Sequence, residues 1–279
     1  MKIALCTDSS CDITKEQLEK HKIKVIPFPV MLGDEERLDG VNLTPNEIFE
    51  FFDKNKELAK TAAINSTGYE KEFRKLLKEY DKVIYVSISF ELSSTGNNAR
   101  LAAQEIGEDK VRVVDSKSLS SGVGLVVLQG AKLIEEGKDF NYIVTALESV
   151  VEKVQASFII NRLNYLHKGG RCSSVALLGA NLLKIKPKIE LCEGKMVVAK
   201  KYMGKYESTI LKYVDETLSE NKPNLDVAYV TYSSKMDISD EIEKILKDYG
   251  FKEVHQCFAS STICAHCGPE TIGVLYIKE

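Results

Sequence analysis

Three short stretches concentrate hydroxyl side chains: Thr7-Asp8-Ser9-Ser10, Ser87-Ile88-Ser89 through Ser93-Ser94-Thr95-Gly96, and Asp115-Ser116 through Ser121-Gly122. Each follows a short apolar segment and precedes an amphipathic one, so each is expected in a loop between a strand and a helix. Hydroxyls there are neutral donors, and a helix start adds unpaired N–H groups with partial positive charge. Together they suit a carboxylate or a phosphate. The same residues also serve as ordinary caps and turns, and a single loop would call for nothing more. Recurrence at three strand ends favours a shared anion crevice, because the carboxyl ends of strands in an open α/β sheet face one crevice. Thr61, ahead of Asn65-Ser66-Thr67, is a further hydroxyl source that doubles as a helix cap. Gly169-Gly170-Arg171 reads either as a small nest with one fixed cation or as a turn with a surface arginine.

Cys264-Ala265-His266-Cys267, with Cys257 nearby, has the residue types of a zinc site. Only one such pair of cysteines is present, and adjacent His266 and Cys267 aim poorly at one tetrahedral ion, so no metal is expected. His266, just ahead of Gly268-Pro269, reads instead as a polar group held in a loop and able to donate to an anion. His21, His167 and His255 read as surface or helix positions. The sequence carries no nucleophile elbow, phosphate-binding P-loop, dinucleotide fingerprint or His-Glu-x-x-His pair. Residue types therefore leave open a binding protein or an enzyme acting on a small phosphorylated or carboxylated metabolite, with a zinc-dependent interaction module at Cys257, Cys264 and Cys267 as a third reading.

The elements that must carry these residues alternate in the first half. Strands are expected at Lys2–Cys6, Lys24–Met31, Lys82–Ile88 and Val111–Val114. Helices are expected near Lys15–Lys20, from Thr44-Pro45 toward Leu58, and over Tyr69–Glu79, Asn97–Ile106 and Gly124–Glu136. This cadence indicates a parallel sheet covered by helices. The second half adds helices near Tyr142–Val154, Ser174–Leu183, Glu207–Ser219 and Ile238–Tyr249. Its strands are expected near Ser157–Ile160, Val227–Thr231, Val254–Phe258 and Gly273–Ile277. Strands near Ile189 and Met196–Ala199, joined by Glu193-Gly194, read as a hairpin, so this second sheet is partly antiparallel. The fold class is α/β in two domains, residues 1–155 with a parallel sheet and residues 156–279 with a mixed one.

Composition bounds the rest. With 279 residues, 44% hydrophobic and 28% charged, the chain is an ordinary globular protein and neither disordered nor fibrous. A net charge of −3 gives no footprint for nucleic-acid binding. Seven cysteines, an odd number, together with an opening that lacks a signal-peptide pattern, point to reduced thiols in a cytoplasmic protein.

Six segments in order resemble the DegV family, the fatty-acid-binding subunits of bacterial fatty acid kinase. They are Thr7 through Ile13, Ser87 through Thr95, Val114-Asp115-Ser116-Lys117, Leu163 through Arg171, Lys184-Ile185-Lys186-Pro187 and His266-Cys267-Gly268-Pro269. They cover nearly the whole chain. The resemblance implies one long-chain fatty acid in a narrow tunnel, its carboxylate held by Thr61 and Ser93, with His266 beside them. Ser94, Thr95, Asn65, Ser116 and Arg171 are further candidates for the lining, and Val175 through Leu183 for a tunnel wall. It also implies no cofactor and no catalytic chemistry in this chain. A separate fatty acid kinase would phosphorylate the acid for phospholipid synthesis, with transient membrane contact. The chain departs from the family at Thr61-Ala62-Ala63-Ile64-Asn65-Ser66, where Thr-Ser-Gln-Pro-Ser is usual, and at Ser93-Ser94-Thr95, where Ser-Gly-Thr is usual. Met203 stands where an arginine associated with kinase work is common.

Overall fold

The computed structural model describes residues 1–176 and 185–279. Three apolar runs form parallel strands β1 (Ile3–Asp8), β6 (Lys82–Ser87) and β7 (Val111–Asp115). The short β2 (Lys24–Ile26) completes a sheet of order β2-β1-β6-β7. Successive residues of a strand point to opposite faces, and here both faces are apolar, as a sheet buried on both sides requires. Val83 and Tyr85 meet α3 (Ser66–Leu76) and α4 (Thr95–Ile106) through Tyr69, Phe73 and Ala99. Ile84 and Val86 face α5 (Ser121–Glu135) and α6 (Phe140–Val151) through Val123, Val127 and Leu147. A helix α1 (Lys15–Lys20) is opened by the capping pair Thr14 and Gln17, and Gln17 also accepts from the Tyr229 hydroxyl at 2.6 Å.

The second sheet has six strands in the order β10-β9-β8-β13-β11-β12. These are β8 (Val154–Ile160), β9 (Lys186–Cys192), β10 (Lys195–Tyr202), β11 (Pro223–Tyr232), β12 (Glu253–Phe258) and β13 (Thr271–Lys278). All pairings are antiparallel except β11 with β12. One face packs on α9 (Tyr206–Glu220) and α10 (Ile238–Tyr249) through Tyr213, Val274 and Tyr276. The other face, with Phe158, Ile189 and Leu275, joins the same apolar cluster that lies under β1 and β6. α5 is the shared layer and packs on β1, β6, β8 and β13. Its close approach needs Gly124, where a Cβ would lie 2.6 Å from the Cys11 carbonyl oxygen.

Two expectations change, and a third falls partly outside the described residues. The single strand over Lys24–Met31 is two strands in different sheets, because Pro27 and Pro29 remove two consecutive alternate donors and the chain turns out of the first sheet. β3 (Pro29–Leu32) pairs instead with β4 (Glu35–Leu38) and β5 (Lys60–Thr61) in a small antiparallel sheet, β4-β3-β5. The helix expected near Tyr142–Val154 stops at Val151, and Val154 already opens β8. Of the helix expected over Ser174–Leu183, Ser173–Ala176 is helical (α8); 177–183 lie outside the described residues. α2 (Pro45–Asn55) starts as expected, with Thr44 and Glu47 as its capping box.

Between the domains, two buried carboxylates of the first hold the first turn of α11 (Ser261–Cys267) in the second. Asp12 accepts from the Ser260 amide at 2.9 Å and the Ser120 hydroxyl at 2.5 Å. Asp39 accepts from the Ser261 and Thr262 amides at 2.9 and 3.0 Å and from Ser9 Oγ at 3.1 Å. The Ser260 hydroxyl caps the Ile263 amide, so the orphan donors of the helix start are satisfied. Burial raises the Asp12 carboxyl from 3.8 to about 7, against the pull of its hydrogen bonds from Ser120 and Ser260. The folded chain therefore holds a proton on Asp12 in a window, from about pH 4 to about pH 7, where the unfolded chain has released it. Stability contributed by that proton is present below the window and lost as pH rises through it. Asn at this position keeps an acceptor for Ser260 and offers Ser120 a donor. Asp12→Asn should therefore gain on the parent in urea unfolding as pH rises across the window, and a gap that stays constant would refute it.

Candidate functional site

Thr61 ends β5, held by the register of Val30 opposite it in β3 and by the Ala62 amide donating to Pro29 O at 3.0 Å. Its hydroxyl lies 2.8 Å from His266 Nε2 on α11. His266 is thus a helix residue, not the loop group the sequence suggested: Gly268-Pro269 ends the helix just beyond it. Burial first, and the Arg171 charge second, push this imidazole from 6.5 down to about 4, so it is neutral at physiological pH. Nδ1 has no partner among the described residues, and a Cβ on Gly169 would come within 2.7 Å of it. Only glycine there leaves the ring room. With its proton on Nε2, His266 donates to Thr61 Oγ1, which frees the Thr61 proton to point elsewhere.

Ser93 sits on the loop between β6 and α4, and that loop is fixed from beneath by Asp8. The Asp8 carboxylate is buried and accepts from the Ile88 amide (2.9 Å), the Ser10 amide (3.0 Å), the Ser10 hydroxyl and the Tyr85 hydroxyl (3.1 Å). From Tyr85 the chain of hydroxyls runs to Tyr69 (2.8 Å) and on to Thr95 (2.9 Å). The Thr95 amide then donates to Ser93 Oγ at 3.3 Å. Ser93 thus has its oxygen occupied as an acceptor and its proton free to donate, as Thr61 does when the imidazole proton is on Nε2.

These side chains meet in one cavity of about 460 Å³, within the roughly 300–1,000 Å³ of small-molecule sites. Thr61, Ser93, Ser94, Arg171 and His266 all line it. Arg171 is aimed by its Nη1 donating to Gly169 O at 2.8 Å; Gly169 ends α7 (Leu163–Gly169) and Gly170 is its left-handed cap, so the stretch is a helix terminus and not a free nest. The remaining wall is mostly apolar, with Phe28, Ile88, Leu92, Leu119, Met196 and Ile263. Leu119, Ile263 and Cys267 also line a second small hollow of about 20 Å³ bounded by Phe158 and Leu275. The cavity therefore combines hydroxyl donors with a hydrocarbon wall.

Three other candidates lie outside this lining. Asn65 caps α3 by accepting from the Gly68 amide at 2.8 Å. Thr95 is buried in the tyrosine chain, and Ser116 donates to Ser118 O within its own loop. Most hydroxyls of the first and third loops are likewise spent inside the protein: Ser120 on Asp12, Ser121 against Thr231 Oγ1 at 2.6 Å. The ordinary capping role wins there. Asp39, Phe28, Met196 and Thr262 gave no local signal, since Asp39 and its helix partners are 222 and 223 residues apart.

Among the described residues no cluster of three or more His, Cys, Asp or Glu could hold a metal. Burial pushes the thiols of Cys257, Cys264 and Cys267 upward, so they are protonated. None of the described helices is long and apolar enough to cross a membrane.

Comparison with known proteins follows the same geometry. A DegV domain-containing protein of Clostridium acetobutylicum is 30% identical over 285 residues, covering 100% of this chain and 99% of that protein. A DegV family protein from Thermus thermophilus, its structure described as showing fatty acid binding, superposes with a TM-score of 0.90 at 29% identity over 100% of both chains. DegV from Bacillus subtilis, described as a fatty acid binding protein, gives 0.86 at 28% identity, again over 100% of both. A stearic acid-binding protein from Eubacterium ventriosum gives 0.87 at 25% identity, over 99% of this chain and 98% of that one. The family model described as an uncharacterised protein of the DegV family matches residues 2–279, and with the fold matched over the full length this chain belongs to the DegV family.

Proposed function

We propose that this protein binds one long-chain fatty acid, with its carboxylate at Thr61 and Ser93 and its chain along the apolar wall. The observation that carries the reading is the cavity itself: two hydroxyls whose oxygens are already occupied, beside Arg171, opening onto Phe28, Ile88, Leu119 and Ile263. Fatty acid binding by DegV proteins of Thermus thermophilus and Bacillus subtilis supports it. Burying a methylene contributes about 0.8 kcal/mol, so some fifteen of them supply roughly 12 kcal/mol before association costs. Each hydrogen bond to the charged head contributes about 1.5–3 kcal/mol. The chain sets affinity, and the hydroxyls set orientation and keep the carboxylate from being buried unpaired. A neutral His266 serves this by donating to Thr61 without adding a second cation.

Among the described residues His266 faces Thr61, and its Nδ1 has no hydrogen-bond partner. The protein is a carrier, and the phosphorylation of the acid falls to a separate fatty acid kinase in the cytoplasm, with brief membrane contact to collect lipid. Met203, 77% exposed just past β10, and neighbouring Lys201 and Lys205 offer that kinase a surface with point charges in place of an arginine fork.

Organic extraction of the purified protein followed by mass spectrometry should yield close to one fatty acid per chain. Thr61→Ala combined with Ser93→Ala should weaken retention by roughly a hundred- to ten-thousandfold. An empty extract from folded protein would transfer the reading to a metabolite enzyme, and undiminished retention in the double variant would remove the site. With a cognate kinase and ATP, the loaded protein should yield acyl phosphate; a reconstitution that yields none would sever the kinase role from lipid binding. Nitrogen–proton correlation spectra near pH 6 should show His266 neutral with its proton on Nε2, because its titration lies near 4. A charged ring at that pH, or a proton on Nδ1, would overturn the donor directions assigned here.

A further inference from the structure

Thr262 is the second residue of α11, 6% exposed, and lines the cavity one helical turn before His266. Residues four apart share a helix face, so Thr262 and His266 stand on one side of α11. The Thr262 amide is taken by Asp39 at 3.0 Å, which fixes the turn it sits in. Its Oγ1, by contrast, has no hydrogen-bond partner among the described residues. A threonine inside a helix ordinarily returns its proton to the carbonyl four residues back. Here that residue is Phe258, the last of β12, outside the helix, and the usual acceptor is not offered. A buried hydroxyl left unpaired is unfavourable, and a methylene chain passing it would leave it so.

We propose that Thr262 Oγ1 is a third hydroxyl donor to the ligand carboxylate, completing a cradle with Thr61 and Ser93. A carboxylate has two oxygens and about four acceptor positions, so the third donor has a place. The assignment rests on the fatty acid reading above and deepens it. It carries a signature that a packing role lacks. Valine has nearly the shape of threonine without the hydroxyl, so Thr262→Val removes an unpaired polar atom from the empty protein and a ligand contact from the loaded one.

The test is titration calorimetry of delipidated protein with stearic acid, together with thermal unfolding of the delipidated forms. Thr262→Val should bind about tenfold more weakly while unfolding at the parent temperature or about 2–4 °C above it. Thr262→Ser, which keeps the hydroxyl, should retain the parent affinity. Parent-like affinity in the valine variant would overturn the assignment, as would equal losses in valine and serine variants, which would mark a packing role. A loss confined to 3-hydroxystearic acid would overturn it too, by showing that Thr262 reads a chain substituent. Folded parent protein that takes up no stearic acid would bring down the fatty acid reading and this contact with it. Binding by the parent that Thr61→Ala weakens and Thr262→Val does not would bring down this contact alone.

Discussion

A hydroxyl whose oxygen already accepts a hydrogen bond keeps its proton free for another partner, and this protein arranges that at Ser93 and, with the His266 proton on Nε2, at Thr61. For Thr61 the donor is His266, 205 residues away in sequence, so the hydrogen bond exists only if the small sheet of the first domain and α11 of the second arrive together. Pairing of β3 with β5 fixes one end, and the carboxylates of Asp12 and Asp39 fix the other. For Ser93 the donor is a backbone amide, held by a buried chain of hydroxyls that ends on Asp8. Removing the supports would leave the site residues present and their protons misdirected.

The charges follow a consistent division. Carboxylates of the first domain are buried against backbone amides, where they organise turns and a helix start. At the cavity the polar groups are neutral, apart from Arg171 and Glu91, and Glu91 lies 3.4 Å from Lys195. With neutral hydroxyls beside one solvent-exposed cation, Arg171, the cavity accommodates an anion without keeping a buried cation desolvated in its absence. The imidazole obeys the same rule, since burial keeps it uncharged.

Much of this was readable in the chain, and the boundary between the readable and the hidden is physical. Periodicity and caps located α1, α2, α4, α10 and the β9–β10 hairpin, because those signals are local: Thr44-Pro45 with Glu47 needs no distant partner. Resemblance singled out Thr61, Ser93, Arg171 and His266, which share one cavity. Hydroxyl content alone misled at Ser116 and Thr95, because a serine that closes its own loop and one that faces a ligand have the same letter. The β4-β3-β5 sheet was hidden in strands of two to four residues. Asp39 and Thr262 were hidden because their partnership spans the chain.

The continuity of the core has a consequence for how the molecule can move. Leu5 and Ile84 of the first sheet, α5, and Phe158 and Leu275 of the second belong to one apolar cluster, and Gly124 lets α5 press directly on the first-domain loop. The Ser89 hydroxyl also clasps the Gly194 carbonyl at the tip of the β9–β10 hairpin. Two bodies joined this way have no seam along which to swing, since a rotation would expose the hydrocarbon they share. Under the carrier reading proposed above, exchange of a bound acid would proceed by small openings of individual loops and turns, with the frame around them standing still.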